Sequence, residues 1–241
     1  MFTVRPARAG PPGEPPDVGP TPVLTRETFR FLADLARNNR TDWMRDQRPR
    51  YQEHVVAPMR ALLDSLAPVA LSLHAEFDTS ARTGTSFSRI NRDTRFARDK
   101  RPYRAEMYLR FSRPAVTGDG QLYVRVGVEG ATAGFRIYDA GRDSALRRLA
   151  LANALDTPRW LAAQSRRLGR RYESYWYASV KGAWVRQDGF PTRREQWERL
   201  RGWVVRRTFT RAAATRAGFQ KELAGVFKDV FPLYAFTSLV G

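Results

Sequence analysis

Between residues 121 and 128 the chain reads QLYVRVGV, with an aliphatic side chain at every second position from Leu122 onwards. A period of two is that of a half-buried β-strand, in which alternate side chains face the core. Turn residues precede and follow this strand, so its connections are short and its neighbours are expected to be antiparallel to it. Comparable alternation predicts further strands at residues 87–91, 106–111, 134–138 and 203–209.

Helical patterns flank this block of strands on both sides. On the amino-terminal side, Thr25 suits an N-cap, and a second helical region begins near residue 41 and is interrupted by prolines. On the carboxyl-terminal side, the spacing of apolar residues predicts helices at residues 146–155, 157–168 and 212–231. Helices, then strands, then helices, with no regular βαβ alternation, are typical of an α+β fold.

The first residues of the chain have a different composition from the rest. Residues 10–22 contain six of the fifteen prolines and a single aliphatic side chain, so they can form neither a helix interior nor a core. We therefore predict a disordered Pro/Gly-rich tail at residues 1–22. Residues 23–241 are predicted to form a single α+β domain, with N-terminal helices packed on an antiparallel sheet of four to five strands and further C-terminal helices.

The composition excludes several classes of protein. The 241 residues include no cysteine and only two histidines, which removes disulfides, thiolate metal centres and cysteine nucleophiles. The chain has no run of about 18 apolar residues and no apolar leader at its N-terminus, so we expect a cytoplasmic protein with no membrane association. No P-loop, dinucleotide-binding, GxSxG or HExxH motif is present, and we expect no cofactor and no metal.

Net charge is the most informative bulk property of the sequence. The 42 basic residues exceed the 24 acidic residues by 18, which implies an affinity for anions such as nucleic acid. Residues 82–113 and 159–216 together carry a positive excess equal to this whole net charge. A GC-rich coding sequence would explain why most of the cations are arginines, but it would not explain why their excess is concentrated in two stretches.

The first of these stretches contains SRINRDTRFARDKRPYR at residues 88–104. Guanidinium groups this close in sequence repel one another unless each meets a carboxylate or an anionic ligand, and Asp93 and Asp99 can neutralise only some of them. An arginine held by an aspartate and directed into a cleft can grip a phosphate or carboxylate through two hydrogen bonds. The alternative is a purely structural Arg–Asp network that fastens the first strand to the following loop.

The candidate site residues lie in the 88–104 stretch and in the predicted N-terminal helical region. We expect Asp93 and Asp99 to hold the arginines, and Trp43, Phe96 and Tyr103 to form the walls of the cleft. If the protein is an enzyme acting on a small phosphorylated or carboxylated substrate, either aspartate is the candidate catalytic acid or base. The candidate ligand-binding residues are Arg89, Arg92, Arg95, Lys100, Tyr103, Arg104, Asn39 and Trp43.

Some of these residues also suit a structural role. One residue of the pair Asn38 and Asn39 is expected to end a helix as its C-cap, since asparagine tolerates a left-handed conformation. The other either contributes to the cap or orients a ligand or an arginine. Trp43 and Tyr51 lie near one helical face, where they suit either the core or a stacking platform.

Two separated motifs resemble those of a family of bacterial and fungal proteins, the domain-of-unknown-function family 2461. The first is similar to the family pattern R-I-x-R-D-x-R-F-x-x-D-K-x-P-Y-[KR], and the second to N-N-x-x-W-[FM]-x-x-x-[RK]-x-x-Y. The resemblance covers roughly residues 23–240, and it implies a family without implying an activity. The residues that carry it are Arg89, Ile90, Arg92, Asp93, Arg95, Phe96, Asp99, Lys100, Pro102, Tyr103 and Arg104, with Asn38, Asn39, Trp43, Met44, Arg48 and Tyr51.

The second cationic stretch, residues 159–216, interleaves arginines with the aromatic residues at 172–177. Such a mixture suits single-stranded nucleic acid, in which bases stack on rings and phosphates meet guanidinium groups. It equally suits a solvated helix face beside core aromatics. The sequence therefore leaves open three functions for the 88–104 cluster, which are binding of an anionic small molecule or nucleic acid, enzymatic action on a small anionic substrate, and a purely structural role.

Overall fold

The computed structural model describes residues 22–116, 118–138 and 157–239. Residues 1–21 of the predicted tail lie outside these ranges, as does the helix predicted at 146–155.

The N-terminal helices follow the predicted pattern. Helix α1 is Arg26–Arg37, α2 is Thr41–Asp46 and α3 is Arg48–Tyr51, and a π-helical turn at Gln52–Val56 leads into α4 at Ala57–Leu73. Thr25 is the N-cap of α1, as predicted. Pro58 has no N–H to donate to the carbonyl of His54, and the π-helical turn lies where that regular hydrogen bond is missing. Pro58 therefore distorts the helical region Arg48–Leu73 without breaking it, whereas α2 and α3 are separated at Gln47, shortly before Pro49.

The sheet has six antiparallel strands, more than the four to five predicted. They are β1 (Glu106–Phe111), β2 (Gln121–Gly127), β3 (Gly130–Tyr138), β4 (Glu173–Val180), β5 (Ala183–Asp188) and β6 (Leu200–Thr210). Their spatial order is β1-β2-β3-β6-β4-β5. The hairpin of β4 and β5 escaped prediction because β5 is an edge strand with almost no buried side chain, so no apolar alternation marks it.

The strand predicted at 87–91 is wrong. This segment forms only isolated bridges, in which Phe87 pairs with Leu109 of β1 and Asn91 pairs with Tyr103. Phe87 and Ile90 are nevertheless buried, which explains the apolar signal at these positions. The strand predicted at 203–209 is confirmed as part of β6, and β3 begins earlier than predicted, at Gly130.

The remaining helices complete the fold. They are α5 (Thr157–Leu168), which continues as a 3₁₀ turn at Gly169–Arg171, then α6 (Arg194–Glu198), α7 (Arg211–Ala214) and α8 (Phe219–Ser238). The helix predicted at 212–231 is thus two helices. They are separated by Gly218, whose φ of 83° is a left-handed conformation that favours glycine.

One core joins the helices to one face of the sheet. Met107, Leu109 and Phe111 of β1 point to this face, and the long helices α4 and α8 pack against it. The opposite face carries Tyr108 and Arg110 of the same strand, because successive side chains of a strand alternate. The described helices that contribute to the core pack on the first face. We call the second face, with respect to the described helices, the helix-free face; at its centre Tyr123, Val204 and Tyr175 are nevertheless buried. The fold is a single α+β domain, as predicted.

One helical region, Arg48–Leu73, is long and apolar enough by length and composition to cross a membrane. Core helices of soluble proteins meet the same criterion, and Met59, Leu62 and Leu66 on its inner side are buried in the common core. This helical region thus contributes one of its sides to the common core.

Candidate functional site

The segment before β1 lies along the free edge of that strand. The N–H of Ser88 donates to the carbonyl of Tyr108 at 3.0 Å, and the N–H of Arg110 donates to the carbonyl of Ser86 at 2.9 Å. From there the chain turns away and folds back on itself, so that Arg104 N–H reaches the carbonyl of Ile90 at 2.8 Å. Residues 88–104 form a closed loop, which we call the arginine loop, at the edge of the helix-free face.

Asn39 fastens this loop to the N-terminal helices. Its side-chain Nδ2 donates to the carbonyl of Tyr103 at 2.9 Å, and its Oδ1 accepts from the N–H of Tyr103 at 2.9 Å. Asn38 is the C-cap of α1, as predicted for one of the pair, but with a φ of −116° in place of the left-handed conformation expected. The Tyr103 ring packs partly buried against the core. Asn39 is therefore a positioning residue that fixes the loop where its chain returns to β1.

A cleft of about 720 Å³ opens between the arginine loop and the helix-free face of the sheet. Six of its eleven lining residues are arginines, and one is acidic. The lining residues are Ser88, Arg89, Asn91, Arg92, Asp93, Thr94, Arg95, Arg104, Tyr108, Arg110 and Arg136.

Ion pairs within the loop account for part of this charge. Asp93 accepts from Arg95 at 2.7 Å, and Asp99 accepts from Arg92 at 2.6 Å and from Arg101 at 2.7 Å. Hydrogen bonds from Arg95 lower the pKa of Asp93, and those from Arg101 and Arg92 lower the pKa of Asp99, so both carboxylates stay ionised. These pairs fix the shape of the loop, as is expected if the cluster has a structural role.

Four arginines of the cleft have no such partner. Within the described residues, Arg89, Arg104, Arg110 and Arg136 form no ion pair with a carboxylate. The guanidinium of Arg110 donates to the carbonyl of Gly84 at 2.6 Å, and its Nε is buried without a hydrogen-bond partner. The guanidinium of Arg136 donates to Gln121 Oε1 at 3.1 Å. Among the described residues no ion pair thus compensates the positive charge of these four side chains, although the negative charge of Asp78 acts on Arg110 without forming one.

Arg110 lies close to two other cations of the cleft, Arg104 and Arg136, and to the carboxylate of Asp78. Burial lowers the pKa of Arg110, and the positive charges of Arg136 and Arg104 lower it further. An anion placed among these three guanidinium groups would relieve their mutual repulsion and would satisfy donors that lack a partner.

The structure brings only part of the predicted site into the cleft. Arg89, Arg92, Asp93, Arg95 and Arg104 line it. The side chain of Lys100 instead donates to the carbonyls of Thr94 and Arg95, at 3.1 and 3.4 Å, and closes the loop from its outer side. Lys100, Asp99, Tyr103, Asn39 and Trp43 are outside the lining.

The aromatic walls expected for the cleft are not formed by the predicted residues. Phe96 is 96 % exposed at the tip of the loop. Trp43 packs against the core with its ring centroid 5.6 Å from that of Phe31, which is the structural role that the sequence left open for it. The aromatic wall that the cleft does have is Tyr108.

Sequence reasoning missed three lining residues that come from strands, namely Tyr108, Arg110 and Arg136. The alternation of β1 places Tyr108 and Arg110 opposite the core, and that signal was available in the sequence. Arg136 belongs to β3, which is separated from β1 by β2, so only the order of the strands brings it into the cleft.

The second cationic stretch does not form one surface. Tyr172 and Trp176 are buried in the core, whereas Tyr175 and Tyr177 point from β4 to the helix-free face. In the ranges that the structure describes, no group of three or more histidine, aspartate or glutamate side chains is arranged to hold a metal ion.

Comparison with known proteins gives a family for the chain. No curated protein matches it. The model of one family, described as conserved hypothetical protein (DUF2461), matches residues 27–236 and so covers both motifs and the cleft. The resemblance seen in the sequence is therefore confirmed, and the chain belongs to this family.

Proposed function

We propose that the cleft between the arginine loop and β1 binds a phosphate-bearing ligand. The observation that carries this proposal is the set of four arginines, Arg89, Arg104, Arg110 and Arg136, that line one cleft without a carboxylate partner among the described residues. Phosphate offers several acceptor oxygens and two charges, and guanidinium groups bind such anions through paired hydrogen bonds.

The size and lining of the cleft support a ligand of limited bulk. A volume of about 720 Å³ lies within the range of small-molecule sites. Its lining is dominated by donors, with the hydroxyls of Ser88 and Thr94 and the amide of Asn91 beside the arginines. Such a lining favours an anion over an apolar ligand.

Catalysis by the aspartates has less support. Asp99 lies outside the cleft, and Asp93 is held by two hydrogen bonds from the side chain of Arg95. A carboxylate with a lowered pKa is a weak base and gives up no proton at neutral pH. Their geometry favours holding the loop in shape over acid–base chemistry.

Calorimetric titration at low ionic strength with inorganic phosphate and with pyrophosphate tests the proposal. The double variant Arg89→Gln and Arg104→Gln is expected to bind about tenfold or more weakly, since each lost charge-assisted hydrogen bond is worth roughly 1.5 to 3 kcal/mol. A matched control, Arg30→Gln with Arg45→Gln, removes the same charge from exposed positions on α1 and α2. The proposal is wrong if neither anion binds saturably, or if the control loses as much affinity as the cleft variant.

A further inference from the structure

The helix-free face of the sheet alternates aromatic rings with guanidinium groups over its whole width. Side chains reach this face from every second position of each strand, because the intervening positions face the core. The aromatic and arginine side chains on this face are Tyr108 and Arg110 from β1, Tyr123 and Arg125 from β2, Arg136 and Tyr138 from β3, Arg206 from β6, Tyr175 and Tyr177 from β4, and Trp184 and Arg186 from β5.

Carboxylates compensate the arginines of this face everywhere except at the cleft. Arg125 is paired with Glu106 at 2.6 Å, and Arg206 and Arg186 are each 2.8 Å from Glu173. The arginines left over are those of the cleft. A phosphate on this face would therefore be drawn to its β1 end.

An aromatic patch occupies the other end of the face. The ring centroids of Tyr138, Tyr177 and Trp184 are 6.0 to 6.4 Å apart, and the rings of Tyr138 and Trp184 are inclined by only 22°. Tyr138 is 39 % exposed and Trp184 is 50 % exposed, which is unusual for rings of this size in a well-packed domain.

A glycine makes this patch possible. The ring of Tyr138 extends across β6 over Gly202, where a Cβ atom would lie 2.5 Å from its Cδ1. Any larger residue at 202 would force the ring to move. The open backbone at Gly202 thus lets a side chain of β3 reach the aromatic residues of β4 and β5.

Cleft and patch lie on the same face of the sheet, and between them the buried rings of Tyr123 and Tyr175 are covered by the guanidinium groups of Arg136 and Arg206. Tyr138 follows Arg136 by two residues on the same strand, so both point to the same face about 7 Å apart. From β1 to β5 the face spans five strand spacings, or roughly 24 Å, which is the length of a short oligonucleotide. Bases stacked on the patch would place their backbone phosphates toward the cleft.

We propose that this face binds single-stranded nucleic acid, with phosphates in the arginine cleft and bases on Tyr138, Tyr177 and Trp184. The proposal rests on the proposed phosphate-binding function of the cleft and adds the substrate class. Single strands are required because the bases of a duplex are stacked within it and cannot meet protein rings. The positive charge of the cleft distinguishes this ligand from a protein partner of ordinary composition.

Fluorescence anisotropy with labelled oligonucleotides of about eight nucleotides tests the proposal. Three probes are compared, namely a single strand, an abasic strand of equal length and a duplex. We expect the single strand to bind at least about tenfold more tightly than the abasic strand, since stacking contributes roughly 1 to 3 kcal/mol per base.

Variants distinguish the contribution of the aromatic patch to binding from that of the cleft. The double variant Tyr138→Leu and Trp184→Leu is expected to bind the single strand and the abasic strand equally, while its affinity for pyrophosphate in the cleft stays unchanged. The control Trp160→Leu alters an aromatic residue that stacks on Phe236 at the opposite, helical side of the domain, and is expected to keep the preference for bases.

The outcomes are distinguishable. Equal affinity of the wild-type protein for the abasic and the normal strand, or tighter binding of the duplex, overturns the nucleic-acid proposal while leaving phosphate binding intact. If the wild-type protein does not bind pyrophosphate but binds the normal strand more tightly than the abasic strand, the function proposed for the cleft is contradicted. If no oligonucleotide binds, the proposal is overturned. If, in addition, the sedimentation coefficient changes in the Tyr138→Leu and Trp184→Leu variant, the patch is assigned to protein contacts.

Discussion

The side-chain amide of Asn39 binds both backbone polar groups of Tyr103, at 2.9 Å each, across 64 residues of sequence. An asparagine can satisfy a peptide N–H and C=O at once because its amide carries one acceptor and one donor side by side. This contact ties the end of α1 to the point where the arginine loop returns to the sheet. The position of the cleft thus depends on a residue that does not line it.

Replacing Asn39 by alanine is expected to lower the free energy of unfolding by about 2 kcal/mol, since two partly buried hydrogen bonds are lost. Phosphate affinity is expected to fall as well, although every arginine is retained. Urea unfolding and calorimetric titration measure the two effects. Asn38→Ala at the neighbouring position removes one side-chain hydrogen bond, from Asn38 Nδ2 to the carbonyl of Asp34, and serves as the control. Unchanged phosphate affinity in Asn39→Ala would show that the loop is held by other contacts.

Replacing Arg110 by methionine is expected to raise the free energy of unfolding at low ionic strength by about 1 kcal/mol in the absence of ligand. Burial and the positive charges of Arg136 and Arg104 disfavour the charge of Arg110, the negative charge of Asp78 offsets only part of this effect, and methionine keeps most of the apolar stem. Arg125→Met, in contrast, breaks the pair with Glu106 and is expected to destabilise the protein. Thermal unfolding at low and at high salt measures both, and the gain should shrink as salt screens the repulsion. Destabilisation by Arg110→Met at every salt concentration would contradict this prediction.

A buried polar network outside the site is centred on Asp119. Its carboxylate is 3 % exposed, and it accepts from Arg113 at 3.1 Å and from the hydroxyl of Tyr234 at 2.9 Å. Asp119→Ala leaves the Arg113 charge buried without its partner, so we expect a loss of about 3 kcal/mol in urea unfolding. The exposed pair of Asp46 and Arg45 is the control, and Asp46→Ala should change stability by less than about 0.5 kcal/mol. Equal effects of the two variants would refute this account.

Buried tyrosines should make the protein labile to alkali. Burial raises the pKa of Tyr51 to about 12, above the value of 10.0 for an exposed phenol. Between these values the unfolded chain has lost a proton that the folded chain still holds, so stability falls as pH rises from about 10 to about 12. The Tyr51→Phe variant lacks the part of this loss of stability that comes from Tyr51, which is roughly 2 to 3 kcal/mol at the upper end of this pH interval.

Unfolding in urea at a series of alkaline pH values checks this prediction. The Tyr51→Phe variant should lose less stability over the interval than the parent protein. Part of the dependence should remain in the variant, because burial also raises the pKa of Tyr123. Identical pH profiles for the parent and Tyr51→Phe would show that Tyr51 ionises as readily in the folded as in the unfolded protein.

The class of fold and the chemistry of the arginine loop could be predicted from the sequence. Periods of two and of about four are local properties, so β2, β6 and α1 could be predicted from their own residues. The density of cations around Arg92 required either carboxylate partners or an anion, whatever the fold. The sequence does not show which arginines have carboxylate partners. In the structure Arg92 and Arg95 pair with aspartates, whereas Arg89 and Arg104 form no ion pair among the described residues.

Which residues come into contact depends on how the strands are ordered in the sheet. Arg136 reaches the cleft because β2 lies between β1 and β3, and Tyr138 meets Trp184 because β6 inserts between β3 and β4. These neighbours are set by long-range strand pairing, which depends on burying the common core and leaves no local mark in the sequence. The arrangement of rings and guanidinium groups on the helix-free face is therefore a property of the assembled sheet and not of any single segment.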